Sequence, residues 1–154
     1  MFPAPKQVVI PMSQHIGAPA KPLVAKGDHV LKGQIIAEAG GFISANVLSS
    51  VSGTVKGIES KLVANGAMVQ SILVENDGEE EAIEGFGTDR DASKLSKEEI
   101  RQIVKDAGIV GLGGAGFPTH VKLTPKDENA IDYVIVNGAE CEPYLTSDYR
   151  TMIE

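Results

Sequence analysis

Cysteine is almost missing from this 154-residue sequence. Cys141 stands alone, which excludes an internal disulfide framework and cannot by itself hold an iron–sulfur cluster or a structural zinc. No window approaches the roughly 18–20 apolar residues that span a bilayer, and the N-terminus lacks the charged-then-apolar order of a secretory signal. The sequence reads as cytosolic, with docking on a membrane protein left open and no direct membrane span. A basic excess is lacking too, because the net charge is −7. With no patch to neutralise phosphates along a duplex, broad nucleic-acid binding is excluded.

What is present is ordinary for a folded protein: 42% hydrophobic and 23% charged residues, with 17 glycines and 8 prolines marking a turn-rich chain. The length suits one domain or two small ones, and one large catalytic core is excluded. The acidity is local. From Glu75 to Glu99 there are ten acidic residues against Arg90, Lys94 and Lys97, while the remainder balances at eleven of each sign. A like-charge block of this kind reads as a solvated connecting segment.

Residues 8–76 alternate short β-branched runs with glycine turns and predict an all-β unit, with strands near 8–10, 31–39, 51–58 and 68–75. Asn65-Gly66 is a tight-turn pair. A faint echo between Lys26-Gly27-Asp28-His29-Val30 and Asn65-Gly66-Ala67-Met68-Val69 suggests two similar halves around one core. Residues 77–95 show little apolar periodicity and read as a linker. Ser96-Lys97-Glu98-Glu99 is a capping box opening a helix that Gly108 stops. A short helix near 118–123 and a buried strand at Tyr133-Val134-Ile135-Val136 follow. The fold class is mixed α and β: a β domain over 1–76, an acidic linker over 77–95, and the start of an α/β domain over 96–154.

Two motifs carry chemistry. Gly111-Leu112-Gly113-Gly114-Ala115-Gly116-Phe117-Pro118-Thr119 has the dinucleotide spacing at Gly111, Gly113 and Gly116, but it follows a helix where that fingerprint follows a strand. Its glycines still remove the Cβ atoms that keep a phosphate from backbone amides, and a helix opening at Pro118 would aim its positive end there. A purely structural glycine loop is the alternative. Asn137-Gly138-Ala139-Glu140-Cys141-Glu142-Pro143 follows the apolar run, where open α/β sheets meet ligands; an ordinary polar turn is the alternative. His15, His29 and His120 are isolated in sequence and read as surface or hydrogen-bonded histidines.

GLGGAGFPTHVKL followed by VIVNGAECEPY resembles the flavin- and NADH-binding subunit of respiratory complex I and, more closely, the RnfC family of the Rnf ion-translocating electron-transport complexes. VVIPMSQHIGAPAKPLVAKGDHVLKGQIIAEAG and SSVSGTVKGIE resemble the barrel-sandwich hybrid domain that opens the RnfC protein. The resemblance covers roughly residues 7–76 and 96–154. It also brings in lipoyl and biotinyl carriers, which need a lysine at the hairpin tip; 38–51, EAGGFISANVLSSV, has none, so a scaffold is expected in place of a swinging arm.

The resemblance implies FMN and NADH as cofactors. Gly111, Gly113, Gly114 and Gly116 would offer backbone contacts, Phe117 a nucleotide-facing ring, and Lys122 a contact to the flavin phosphate. Asn137 and Glu140 would hydrogen-bond the flavin, and Glu142 would approach the nicotinamide or its ribose. No side chain is implied as catalytic, and no metal site. The complex I proteins have Asp-Glu-Gly-Glu at 139–142, so Ala139 loses one carboxylate, and Leu123-Thr124-Pro125 lacks their adenine-stacking aromatic. The family's further domains and 4Fe-4S clusters would lie beyond Glu154, so the chain reads as an N-terminal fragment, inactive alone. It would belong to the NADH:ferredoxin-type electron-entry subunit, peripheral on the cytoplasmic face of the bacterial inner membrane and bound to other subunits. The rival reading is a non-catalytic docking module related to the NqrA protein of the sodium-pumping quinone reductase.

Overall fold

The computed structural model describes residues 4–112, 116–140 and 142–153. They form two compact units, Met1–Thr124 and Pro125–Glu154.

In the first unit, strands β1 (Gln7–Pro11), β2 (Lys21–Pro22), β3 (His29–Val30), β4 (Ile35–Glu38), β5 (Val47–Leu48), β6 (Gly53–Leu62) and β7 (Met68–Asn76) make two antiparallel sheets, ordered β1-β7-β6-β3 and β2-β4-β5. The hydrophobic alternation of β6 puts Val55 inside, and Ile72 and Val74 of β7 meet it there with Ile10, Met12, Val30, Ile36 and Val47 from both sheets. Burying such side chains contributes about 1.5–3 kcal/mol each, so this shared core holds the sheets face to face. The hairpin between β6 and β7 closes through Val63 N–H to Ala67 C=O at 2.9 Å, and only Gly66 of the expected Asn65-Gly66 pair takes a positive φ, +82°. The turn is therefore a three-residue loop. Of the expected strand over 31–39 only β4 forms, after a turn at Gly33, while β3 lies just before that range, and β2 and β5 are two-residue pairings too short to show any period.

The segment 39–46, where a carrier domain has its lysine, is tied down. The buried Ser44 hydroxyl donates to the Ala18 carbonyl at 2.7 Å and accepts from the Gly40 amide at 2.9 Å, and Ala18 N–H reaches Ile43 C=O at 2.9 Å. The acidic segment is tied too over its first half. Asp77 accepts from the buried Ser52 hydroxyl at 2.6 Å, and that same oxygen accepts from the Glu81 amide at 3.1 Å. Beyond it, Ala82 forms a parallel bridge with Lys32, and the Lys32 ammonium pairs with Glu80 and lies 5.7 Å from the Phe86 ring centroid. The Ser52 bond, then the Glu79 amide, hold the Asp77 carboxyl below the usual carboxylate range.

Helix α1 (Lys97–Asp106) starts on the expected capping box: Glu99 N–H donates to the Ser96 hydroxyl at 3.2 Å and Ser96 N–H to the Glu99 carboxylate at 2.7 Å. It ends at Gly108, whose φ of +63° only glycine adopts freely and whose missing side chain lets the backbone approach Asn46 and Leu48. Helix α2 (Thr119–Lys122) is a single turn, joined to α1 by the Arg101 guanidinium donating to Leu123 C=O at 2.8 Å.

The second unit holds a 3-10 turn at Glu128–Ala130, a segment without regular structure over 131–140 and helix α3 (Ser147–Ile153). Tyr133, Val134, Ile135 and Val136 form no strand and are each 79–88% exposed, against the expected buried strand. The reason is physical: β structure needs a neighbour to pair with, and among the described residues none pairs with this run.

Candidate functional site

The two arms of the glycine-rich loop pair with each other just beyond the end of α1. Val110 and Pro118 form an antiparallel bridge, Gly111 N–H donates to Phe117 C=O at 3.0 Å, and Thr119 N–H to Ile109 C=O at 3.0 Å. Gly113 and Gly114, with Ala115, lie outside the described residues. Leu112 on the rising arm is 93% exposed. Because α2 is one turn long, its N-terminus adds little of the dipole expected at Pro118.

The hairpin rests on the β domain. The Gly116 carbonyl accepts from Ile16 N–H at 2.8 Å, and a Cβ on Gly116 would stand 3.1 Å from the Gln14 carbonyl oxygen and 3.4 Å from His15 Cα. Only glycine allows that approach without a shift of backbone. A cleft of about 200 Å³ beside this seat is lined by Gln14, His15, Asn46, Leu48, Gly108 and Val110 among others. A larger groove of about 510 Å³ runs between α1 and the tied acidic segment, with Ile83, Phe86, Arg90 and Ile103 on its walls. Gly111, Gly116 and Phe117 line neither. Gln14, His15 and Asn46 are the residues that sequence reasoning missed. The bond that matters joins two backbones, and no residue-type signal marks it.

Lys122 is exposed in the last turn of α2. An ammonium is a donor only, and a charged donor of this kind suits an anion such as a phosphate. The exposed Lys122 ammonium is therefore compatible in charge with the phosphate of the expected FMN.

In the second unit, Asn137 Oδ1 accepts from Ala139 N–H at 3.1 Å, forming a local turn. Glu140 caps α3: its Oε1 accepts from the amides of Asp148 at 3.0 Å and Tyr149 at 3.2 Å, and Oε2 from the Ser147 hydroxyl at 3.4 Å. An N-terminal carboxylate cap suits the helix dipole. Glu142 is exposed, and Cys141 lies outside the described residues. Among the described residues no cluster of His, Cys, Asp and Glu could hold a metal ion, and no helix is long and apolar enough to cross a membrane.

Of the isolated histidines, His29 pairs with Asp77 at 3.0 Å, and His15 bonds the backbone at Ala45 and Ile16. His120 has a buried Nδ1 without a hydrogen-bond partner. Burial first, then the charges of Lys105 and His15, holds its pKa below the usual imidazole value.

Comparison with known proteins places both halves. The family described as the RnfC barrel sandwich hybrid domain matches residues 1–79, and the Nuo51 FMN-binding domain matches residues 104–154. The C-type subunit of the proton-translocating ferredoxin:NAD(+) oxidoreductase complex of Clostridium ljungdahlii is 51% identical over 99% of the chain and 33% of its own length. Its counterpart in the Na(+)-translocating ferredoxin:NAD(+) oxidoreductase complex of Acetobacterium woodii is 48% identical over 96% of the chain and 33% of its own length. The corresponding protein of the ion-translocating oxidoreductase complex of Rhodobacter capsulatus is 44% identical over 99% of the chain and 30% of its own length. The chain thus spans about a third of the curated relatives it matches. With a β domain of this architecture matched over its whole extent and a glycine hairpin seated on it, the chain belongs to the RnfC family.

Proposed function

We propose that the chain is the opening portion of the electron-entry subunit of a membrane-associated, ion-translocating NADH:ferredoxin-type oxidoreductase. Residues 1–76 would be its barrel-sandwich domain, 77–95 the acidic connection, and 96–154 the first part of its FMN- and NADH-binding domain. The observation that carries this reading is the order of parts: a glycine hairpin with an exposed lysine, at the start of a match to an FMN-binding domain, built directly on an RnfC-type β domain.

In this reading Gly111, Gly113, Gly114 and Gly116 lack the Cβ atoms that would keep the flavin phosphate away from the backbone, and the Lys122 ammonium balances its charge. Phe117, Asn137, Glu140 and Glu142 orient the flavin and nicotinamide. FMN, when bound, supplies the exchange between two-electron hydride chemistry and single-electron transfer, and the protein contributes position and electrostatics. The remaining walls of the site and the 4Fe-4S clusters would come from residues beyond Glu154, and the other subunits would hold the protein at the cytoplasmic face of the membrane. A nucleotide pocket buries about 70–90% of its ligand, so this chain alone is expected to be inactive and to bind neither ligand tightly.

The test is made on the full-length protein, by flavin absorbance and NADH calorimetry. Wild type should bind FMN, and Gly114→Val should abolish binding, because two methyl groups would stand where the phosphate meets the backbone. Lys122→Ala should weaken FMN by about tenfold or more, the worth of one charge-assisted hydrogen bond of about 1.5–3 kcal/mol. A wild-type protein with affinity for neither FMN nor NADH would leave the docking module as the better account.

A further inference from the structure

His15 occupies the junction of three segments: its own loop, the tied 39–46 segment and the descending arm of the glycine hairpin. Its Nε2 lies 3.1 Å from the Ala45 amide nitrogen and its Nδ1 3.2 Å from the Ile16 carbonyl oxygen. An amide can only donate, so Nε2 must be bare and accept; a carbonyl can only accept, so Nδ1 carries the proton. Backbone on both sides thus specifies the neutral Nδ1–H tautomer. Ala45 is buried, which gives its N–H no ready access to water if the bond is lost. The next residue, Ile16, is the one whose N–H holds the Gly116 carbonyl.

His120 of α2 lies within electrostatic reach of His15, and of Lys105 of α1. A proton on His15 would place an N–H against the Ala45 N–H; one on His120 would place an N–H at a buried position with no acceptor. A proton on His120 also meets the charge of Lys105. Burial and these neighbours hold the His120 pKa down, so its unfolded form binds the proton first. The sign follows: the stabilisation is present above the ordinary histidine pKa of about 6.5 and is lost as the pH falls from there towards the lower folded value.

We propose that His15 is a positioning residue for the glycine hairpin: as the neutral Nδ1–H tautomer it fixes Gln14–Ile16 so that the Ile16 amide grips Gly116, and protonation at the His15–His120 junction releases that grip. The anchorage stands on the β domain's own geometry; its consequence for FMN rests on the function proposed above.

Hydrogen-exchange mass spectrometry of the full-length protein tests it, with rates corrected for the chemical pH dependence of exchange. From about pH 7.5 to about pH 5.5, protection of the Ile16 amide should fall by about tenfold while β6 and β7 stay protected. His15→Gln, whose side-chain oxygen can accept from Ala45 without titrating, should keep the protection and lessen its pH dependence, leaving the part that His120 carries. His15→Leu should lose protection at both pH values; if that variant does not fold, His15→Gln decides. Wild-type protection that does not change with pH, or an unchanged pH dependence in His15→Gln, overturns the proposal. FMN affinity measured in parallel should follow the wild-type protection and vary less with pH in His15→Gln. A pH-dependent Ile16 amide in a protein without FMN affinity would sustain the anchorage and sink the flavin reading, and FMN binding over a pH-independent amide would do the reverse.

Discussion

At the scale of single residues, two glycines with similar backbone angles have different reasons to be glycine. Gly66 has a φ of +82° and open space where a Cβ would go, whereas Gly108 has a φ of +63° and the Asn46 carbonyl and Leu48 side chain in that place. Gly66→Ala should therefore cost only the conformational penalty, about 1 kcal/mol. Gly108→Ala should cost about 2 kcal/mol or more, because the strain is joined by a collision that must push α1 off the β domain. Urea unfolding of the two variants compares them directly, and equal losses would show that α1 does not depend on this contact. The Gly108 stop could be read from the sequence, since it follows an apolar stripe at helical spacing. The reason for its closeness could not, because Asn46 lies far away in the chain and presents only a carbonyl.

Among elements, those with a local cause were legible. The capping box around Ser96 and Glu99 formed as the residue types require, and Ser96→Ala should cost about 1 kcal/mol, read from the chemical-denaturation midpoint with an unchanged slope. The long strands β6 and β7 were visible from their β-branched runs, although the expected 51–58 stopped short of Leu62, and their hairpin from Asn65-Gly66. Elements with a non-local cause were not. Strands β2 and β5 exist through single pairings with β4, and the apolar run at Tyr133-Val134-Ile135-Val136 has strand composition without a partner among the described residues. The same division holds in the candidate site. Spacing marked the glycines of the hairpin, yet nothing in the residue types announced that Ile16 holds it or that Glu140 caps α3.

For the whole molecule, the acidic segment shows how composition and structure part company. Its charge predicts solvation throughout, but the half nearest β7 is bonded to Ser52 and Lys32, and Ile83 and Phe86 lie along Gly33. Limited proteolysis should therefore cut first between Arg90 and Leu95 and leave a β domain that still carries residues 77–88, identified by intact mass. Initial cuts inside β6 or β7 would count against that division. The seat of the glycine hairpin has one more consequence, which concerns time. The bond from Ile16 to Gly116 joins residues about 100 positions apart, and contacts so distant in sequence close late because the intervening chain must first be ordered. Synthesis proceeds from the N-terminus, so the sandwich can leave the ribosome and fold before Gly116 has been made. The nascent hairpin then meets a finished surface, and the β domain acts as the template on which the next part of the protein is laid down.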